Sequence, residues 1–137
     1  ELPEAQRFLV QIFALLYEPS GQEKARSCWV SAAEQQDRDD RILPLDQQAF
    51  KAAFHALIDL GLLTPQLTVG ACCCEPIVDL VVRDAIKMAT LEPIVAAIAQ
   101  RYPIKDRYPG GPPFFRNEAQ FMREVRIAFY REDLAAL

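Results

Sequence analysis

The sequence predicts a mainly α-helical domain of five or six helices, with room for one small β-hairpin. Three observations lead there. Apolar residues recur at helical spacing in several separate stretches. Pro, Asp, Thr or Asn stands where most of those stretches begin. One segment after the third stretch, "GLLTPQLTV", reads instead as extended chain bent at Pro65.

The first helix is "PEAQRFLVQIFALLYEP". Pro3 and Glu4 suit its first turn, Phe8, Leu9, Ile12, Phe13, Leu15 and Leu16 form a broad apolar face, and Pro19 ends it. After the Ser20-Gly21 break, "EKARSCWVSAAEQQ" forms a helix with Ala25, Cys28, Trp29 and Ala32 inward, and "DRDDR" is a solvated turn. Asp46 caps the third helix, whose inward set is Ala49, Phe50, Ala53, Phe54, Leu57, Ile58 and Leu60, and Gly61 closes it. Residues 72–82 read either as a strand or as the start of a helix from Pro76. The uninterrupted "RDAIKMA" favours the helix, with Ile77, Leu80, Val81, Ala85 and Met88 inward. Thr90 caps the next helix, with Ile94, Val95, Ile98 and Tyr102 inward. "PIKDRYPGGPPFF" is a Pro/Gly-rich connection, and Asn117 caps a last helix with Phe121, Val125, Ala128 and Phe129 inward.

At 137 residues the chain is one domain in size, and with 51% hydrophobic and 25% charged residues it can bury a core. No apolar run reaches the roughly 18 to 20 residues of a bilayer span. The polar start Glu1-Leu2-Pro3-Glu4 is unlike a signal peptide, so a cytoplasmic setting with reduced thiols is expected. The absence of an initial Met and the ending "EDLAAL" point to a piece of a longer polypeptide. The formal charge of −4 disfavours a generic nucleic-acid surface. Charge is uneven, however. Residues 1–100 carry 8 Lys/Arg against 14 Asp/Glu, and residues 101–137 carry 7 against 5, so an anion-binding surface belongs on the last third.

The candidate chemistry is sparse. Cys72-Cys73-Cys74 lacks the paired spacing of a zinc site, and consecutive side chains diverge in both strand and helix. If the run is extended, Cys73 opposes Cys72 and Cys74, and burial as small apolar residues is the expectation. His55 reads as a histidine at the helix surface or core edge, with no nucleophile elbow or phosphate loop to accompany it. Neither Asp79 nor Asp84 has the setting of an acid/base pair. No catalytic residue, metal or cofactor is expected.

The segment "FKAAFHALIDLGLLTPQLTVGACCCEPIVDLVV", together with a first helix over 4–17, resembles a winged-helix domain. That resemblance divides the chain into a winged-helix-like part, 1–88, and a helical part, 89–137. It places recognition-helix positions on Gln47, Gln48, Lys51 and His55, a poor DNA-reading face with one cation and with Asp46 and Asp59 at its ends. The ending "REVRIAFYREDLAAL", through Arg126, Ala128, Tyr130, Asp133 and Leu134, is similar to accessory segments upstream of the motor in bacterial ATP-driven helicases and regulatory ATPases. Together the two resemblances imply a non-catalytic interaction or positioning module, bound to a protein partner or to other domains of its own chain. A DNA-binding winged helix and a cysteine-based redox or metal sensor are the rival readings. The expected contact residues are Arg116, Arg123, Arg126 and Arg131, with Tyr108, Phe114 and Phe115 in the aromatic loop.

Overall fold

A computed structural model describes residues 3–16, 20–35, 46–66, 70–73, 77–101, 105–106, 113–114 and 122–130. The helices are α1 (Glu4–Leu16), α2 (Gln22–Gln35), α3 (Gln47–Asp59), α4 (Val78–Lys87), α5 (Leu91–Arg101) and α6 (residues 122–130). Strands β1 (Leu63–Gln66) and β2 (Gly70–Cys73) form one antiparallel hairpin, and the two-residue strands β3 (Lys105–Asp106) and β4 (Pro113–Phe114) form another. The fold is therefore mainly α, and of residues 72–82, where the sequence left strand and helix open, Cys72 and Cys73 belong to β2 and the part from Val78 on belongs to α4. The segments 36–45, 102–104, 107–112 and 115–121 lie outside the described residues, as do the expected caps and contacts at Tyr102, Tyr108, Phe115, Arg116, Asn117, Phe121 and Arg131.

α1 is the axis of the molecule. Every residue from Phe8 to Leu16 is buried, including Gln11. A helix buried on all sides must be surrounded, and α1 packs against α2, α3, α4, α5 and β2. At one end the Trp29 ring of α2 stands edge-on to Phe8, with centroids 4.9 Å apart, and lies 5.8 Å from Phe50 of α3. Phe13 meets Phe54 of α3 at 5.9 Å. α2 packs most extensively on α5, where Ser31 Oγ donates to Gln100 Oε1 at 2.9 Å. A single apolar core runs from Phe8 through to Ile127 and Tyr130, so α6 shares the core of α1.

The C-terminal ends of α3 and α4 are built alike, although only α3 has a side-chain cap at its start. Asp46 accepts hydrogen bonds from the Gln48 and Ala49 amides and caps α3 as its sequence position implies. At the other end, the Gly61 amide donates to Ile58 O and the Leu62 amide to Leu57 O. Gly61 sits at φ +78°, a left-handed closure that releases the chain into β1. α4 repeats this closure: the Ala89 amide donates to Ile86 O and the Thr90 amide to Ala85 O. There the left-handed residue is Ala89, at φ +59°, where a Cβ costs energy that glycine avoids.

The first hairpin is docked by a third piece of extended chain. Ser20 and Ala71 exchange backbone hydrogen bonds of 2.8 and 2.9 Å, so β2 lies between β1 and the junction of α1 with α2. Gly70 makes that docking possible. Its φ is +104°, and a Cβ there would lie 2.2 Å from Ser20 O. Ala71 and Cys73 point inward and Cys72 outward, the alternation expected of an extended cysteine run.

Three inward faces differ from expectation. In α3, Ala49 and Leu60 are exposed while Phe50, Ala53, Phe54 and Leu57 carry the contact. In α4 the buried stripe is Val78, Val82 and Ala85, and Leu80 is 69% exposed. In α6, Arg123, Ile127 and Tyr130 are buried, whereas Val125, Ala128 and Phe129 face out.

These backbone details set opposite signs for two substitutions. Ala89→Gly should raise unfolding stability by about 0.5–1 kcal/mol, the left-handed penalty less the entropy of a freer unfolded chain. Gly70→Ala should lower it by about 2 kcal/mol or more, because strain and a backbone clash add. Urea unfolding of both variants checks the pair.

Candidate interaction surface

The C-terminal arginines do not form one exposed row. α6 sets Arg123 and Arg126 three residues apart, but Arg123 is turned into the core with its side chain fully buried. Its Nε lies 3.5 Å from Glu124 Oε1. A buried guanidinium cannot meet a partner or a phosphate, so Arg123 is not the exposed contact residue expected from the sequence. Arg126 is occupied as well, because its Nη1 donates to Asp79 Oδ1 of α4 at 3.1 Å. The backbone of Phe114 lies in β4. Arg116, Arg131, Tyr108 and Phe115 lie outside the described residues.

Asp79 also accepts a hydrogen bond from the Tyr130 hydroxyl. One carboxylate on α4 thus holds two side chains of α6, a cation and a phenol four residues apart on one helix face. Burial pushes the Tyr130 hydroxyl up to about 12, and the hydrogen bond to Asp79 and that residue's charge push the same way. Below the clamp, Ile127 and Tyr130 sit against Ala14 and Leu15 of α1 and Val78 and Val82 of α4, around a void of about 10 Å³. Above it lies an open groove of about 440 Å³ between α4 and α6. Arg83 and Asp79 border the groove from α4, and Met122, Val125 and Phe129 line it from α6. Val125 is 46% and Phe129 60% exposed.

The second exposed surface is the outer face of α3, with Gln47, Gln48, Lys51, His55 and Asp59 all exposed and Asp46 at its start. Its formal charge is one lysine against two aspartates. Beside it, a recess of about 40 Å³ separates the first turns of α2 and α3, lined by Arg26, Lys51 and Phe50 among others. Arg26 donates to Glu23 within α2 at 2.9 Å.

A polar knot joins α1 to the α4–α5 turn. Arg7 reaches Asp84 with two nitrogens, at 3.1 and 2.5 Å. Gln11 Nε2 donates to Asp84 Oδ2 at 3.0 Å, and Gln11 Oε1 accepts from the Thr90 hydroxyl at 2.6 Å. The hydrogen bond and charge of Arg7 hold the Asp84 carboxyl below the usual carboxylate range, with help from Gln11 and against partial burial. Asp84 is therefore a structural anion. Sequence reasoning passed over this knot, although a glutamine inside "FLVQIFALL" was its visible sign.

Cys28, Cys72 and Cys73 carry thiols. Burial pushes Cys28 up to about 11, against the opposing charges of Lys24, Arg123 and Arg101. Among the described residues, no three His, Cys, Asp or Glu side chains converge as metal ligands, and no helix is long and apolar enough to cross a membrane.

Two measurements follow from these environments. In a Cys74→Ser background, Ellman's reagent should modify Cys72 well before unfolding, and Cys28 and Cys73 only as the protein opens. Equal rates at Cys28 and Cys72 would contradict the burial of Cys28. The folded pKa of Asp84 is depressed, so its stabilising effect is complete above roughly pH 4, the unfolded value, and fades as pH falls through the folded one. Asp84→Asn should therefore destabilise at neutral pH, and the difference from the parent should shrink in acid. Comparing urea midpoints at several pH values reads this directly.

No protein-family model matches the chain, and neither a curated protein nor a solved structure was found to match it.

Proposed function

We propose that the chain is a non-catalytic interaction and positioning module of a larger cytoplasmic protein, in its finer form an accessory domain of a bacterial helicase-like or regulatory ATPase. Its first half is winged-helix-like. The order α1, a bridging residue at Ser20, α2, α3 and then the β1–β2 hairpin supports that description, and the hairpin occupies the wing position.

The observation that carries the reading is the charge of the exposed α3 face. A helix that reads duplex DNA presents Arg, Lys, Asn or Gln toward bases, flanked by cations for phosphates. Here Gln47 and Gln48 are present, but Lys51 is the single cation and Asp46 and Asp59 stand at the two ends. Coulomb repulsion at both ends opposes the phosphate contacts on which docking depends. Among the described residues of the C-terminal third, Arg123 is buried and Arg126 is engaged by Asp79, so neither offers a substitute. A nearly neutral helix face beside a wing suits another protein surface better.

Fluorescence anisotropy with a labelled duplex tests this reading. At roughly 50 mM salt, saturable binding tighter than about 10⁻⁴ M is not expected. Binding that weakens steeply with salt and disappears in Lys51→Glu would replace the proposal with a DNA-binding winged helix.

A further inference from the structure

We infer that the groove between α4 and α6 is a docking site for an acidic amphipathic helix of a partner protein. This inference rests on the interaction-module reading and names the kind of partner that module takes. α6 is a helix with two apolar faces. Ile127 and Tyr130 bind it to α1 and α4, while Met122, Val125 and Phe129 recur at intervals of three and four residues along the groove side. That is the spacing with which one helix receives the apolar stripe of another. Val125 and Phe129, 46% and 60% exposed, join the partly buried Met122 in one contiguous apolar wall, which marks an interaction surface where scattered single residues would not.

Charge selects the occupant. Three charged side chains border the groove: Asp79, Arg83 and Arg126. Asp79 is engaged by both Arg126 and Tyr130, so its charge is largely answered within the domain. Arg83 is exposed and makes no ion pair with any described residue. The groove thus presents a net positive rim on a chain whose formal charge is −4. A carboxylate flanking the partner's apolar stripe would complete Arg83, and a lysine there would be repelled. The walls are also preorganised. The Asp79 clamp fixes Tyr130, and the Phe129 ring stands edge-on to Tyr130 with centroids 5.6 Å apart. Little side-chain freedom then remains to be lost on binding.

The test uses the full chain, labelled with ¹⁵N, and two synthetic helical peptides. One is a Leu/Glu amphipathic peptide and the other is the same peptide with every Glu replaced by Lys. Amide shifts should move saturably on α4 and α6 with the Leu/Glu peptide and stay in place with the Leu/Lys peptide. Phe129→Ala and Arg83→Glu change exposed side chains, so both should keep a dispersed spectrum. Each should weaken binding by about tenfold. Equal binding of both peptides, shifts on another face, or no saturation would overturn the inference. So would shifts of the same residues on dilution without peptide, which would assign the groove to a second copy of this chain. A duplex titrated in the same experiment separates the two levels. Salt-sensitive shifts on α3 and the hairpin would remove the interaction-module reading itself, whereas failure of the peptide alone removes only the assignment of the groove.

Discussion

Everything in this fold hangs on the burial of α1 from Phe8 to Leu16. Nine consecutive buried residues leave no outer face on which polar groups could be placed. Each large apolar side chain among them contributes about 1.5–3 kcal/mol on leaving water. That gain is non-directional and would tolerate rotation or sliding of the neighbouring helices. Gln11 removes the tolerance. Its amide is satisfied only when Asp84 and Thr90 stand at one height along α1, so the knot fixes how α4 and its closing turn sit on the axis. A net hydrogen bond is worth about 1 kcal/mol, but an unmet buried amide costs more. The knot therefore sets register, while the apolar contacts supply stability.

α6 is attached by a different logic. Its buried face contains one aliphatic residue, one phenol and one arginine, a poor apolar anchor by comparison with α1. The Asp79 clamp makes up part of the difference with directional bonds. With so small an apolar anchor, α6 belongs among the segments that open before the core does.

The sequence was most legible where one face alone is apolar. α2 shows this, because Ala25, Cys28, Trp29 and Ala32 are all buried as their spacing requires. The caps at Asp46 and Gly61 were readable too, since each residue type has one local reason to be there. Legibility failed where a helix offers two apolar stripes. In α4, "PIVDLVV" supplies candidates on nearly every side, and the choice of Val78 and Val82 over Leu80 is made by the surface of α1 and not by α4 itself. In α6, counting apolar residues favours Val125 and Phe129, and no periodicity argument places an arginine inward. The site was less legible than the fold for the same reason. Asp79 and Arg83 acquire meaning only once α6 lies beside them. The cysteine run, conspicuous as text, resolves into one outward and one inward thiol on β2, with Cys74 outside the described residues.

The Ser20–Ala71 bridge has a kinetic consequence. Its two residues are separated in sequence by all of α2 and α3, so the pairing closes a long loop and recovers few hydrogen bonds for that entropy. Such a contact forms after the helices it spans are in place, and it adds to the non-local share of contacts that slows folding. The hairpin between β1 and β2 is local and can form early, but its seat on the domain is a late event. Gly70 therefore guards a final docking step: the hairpin could exist without it, yet would have nowhere to land.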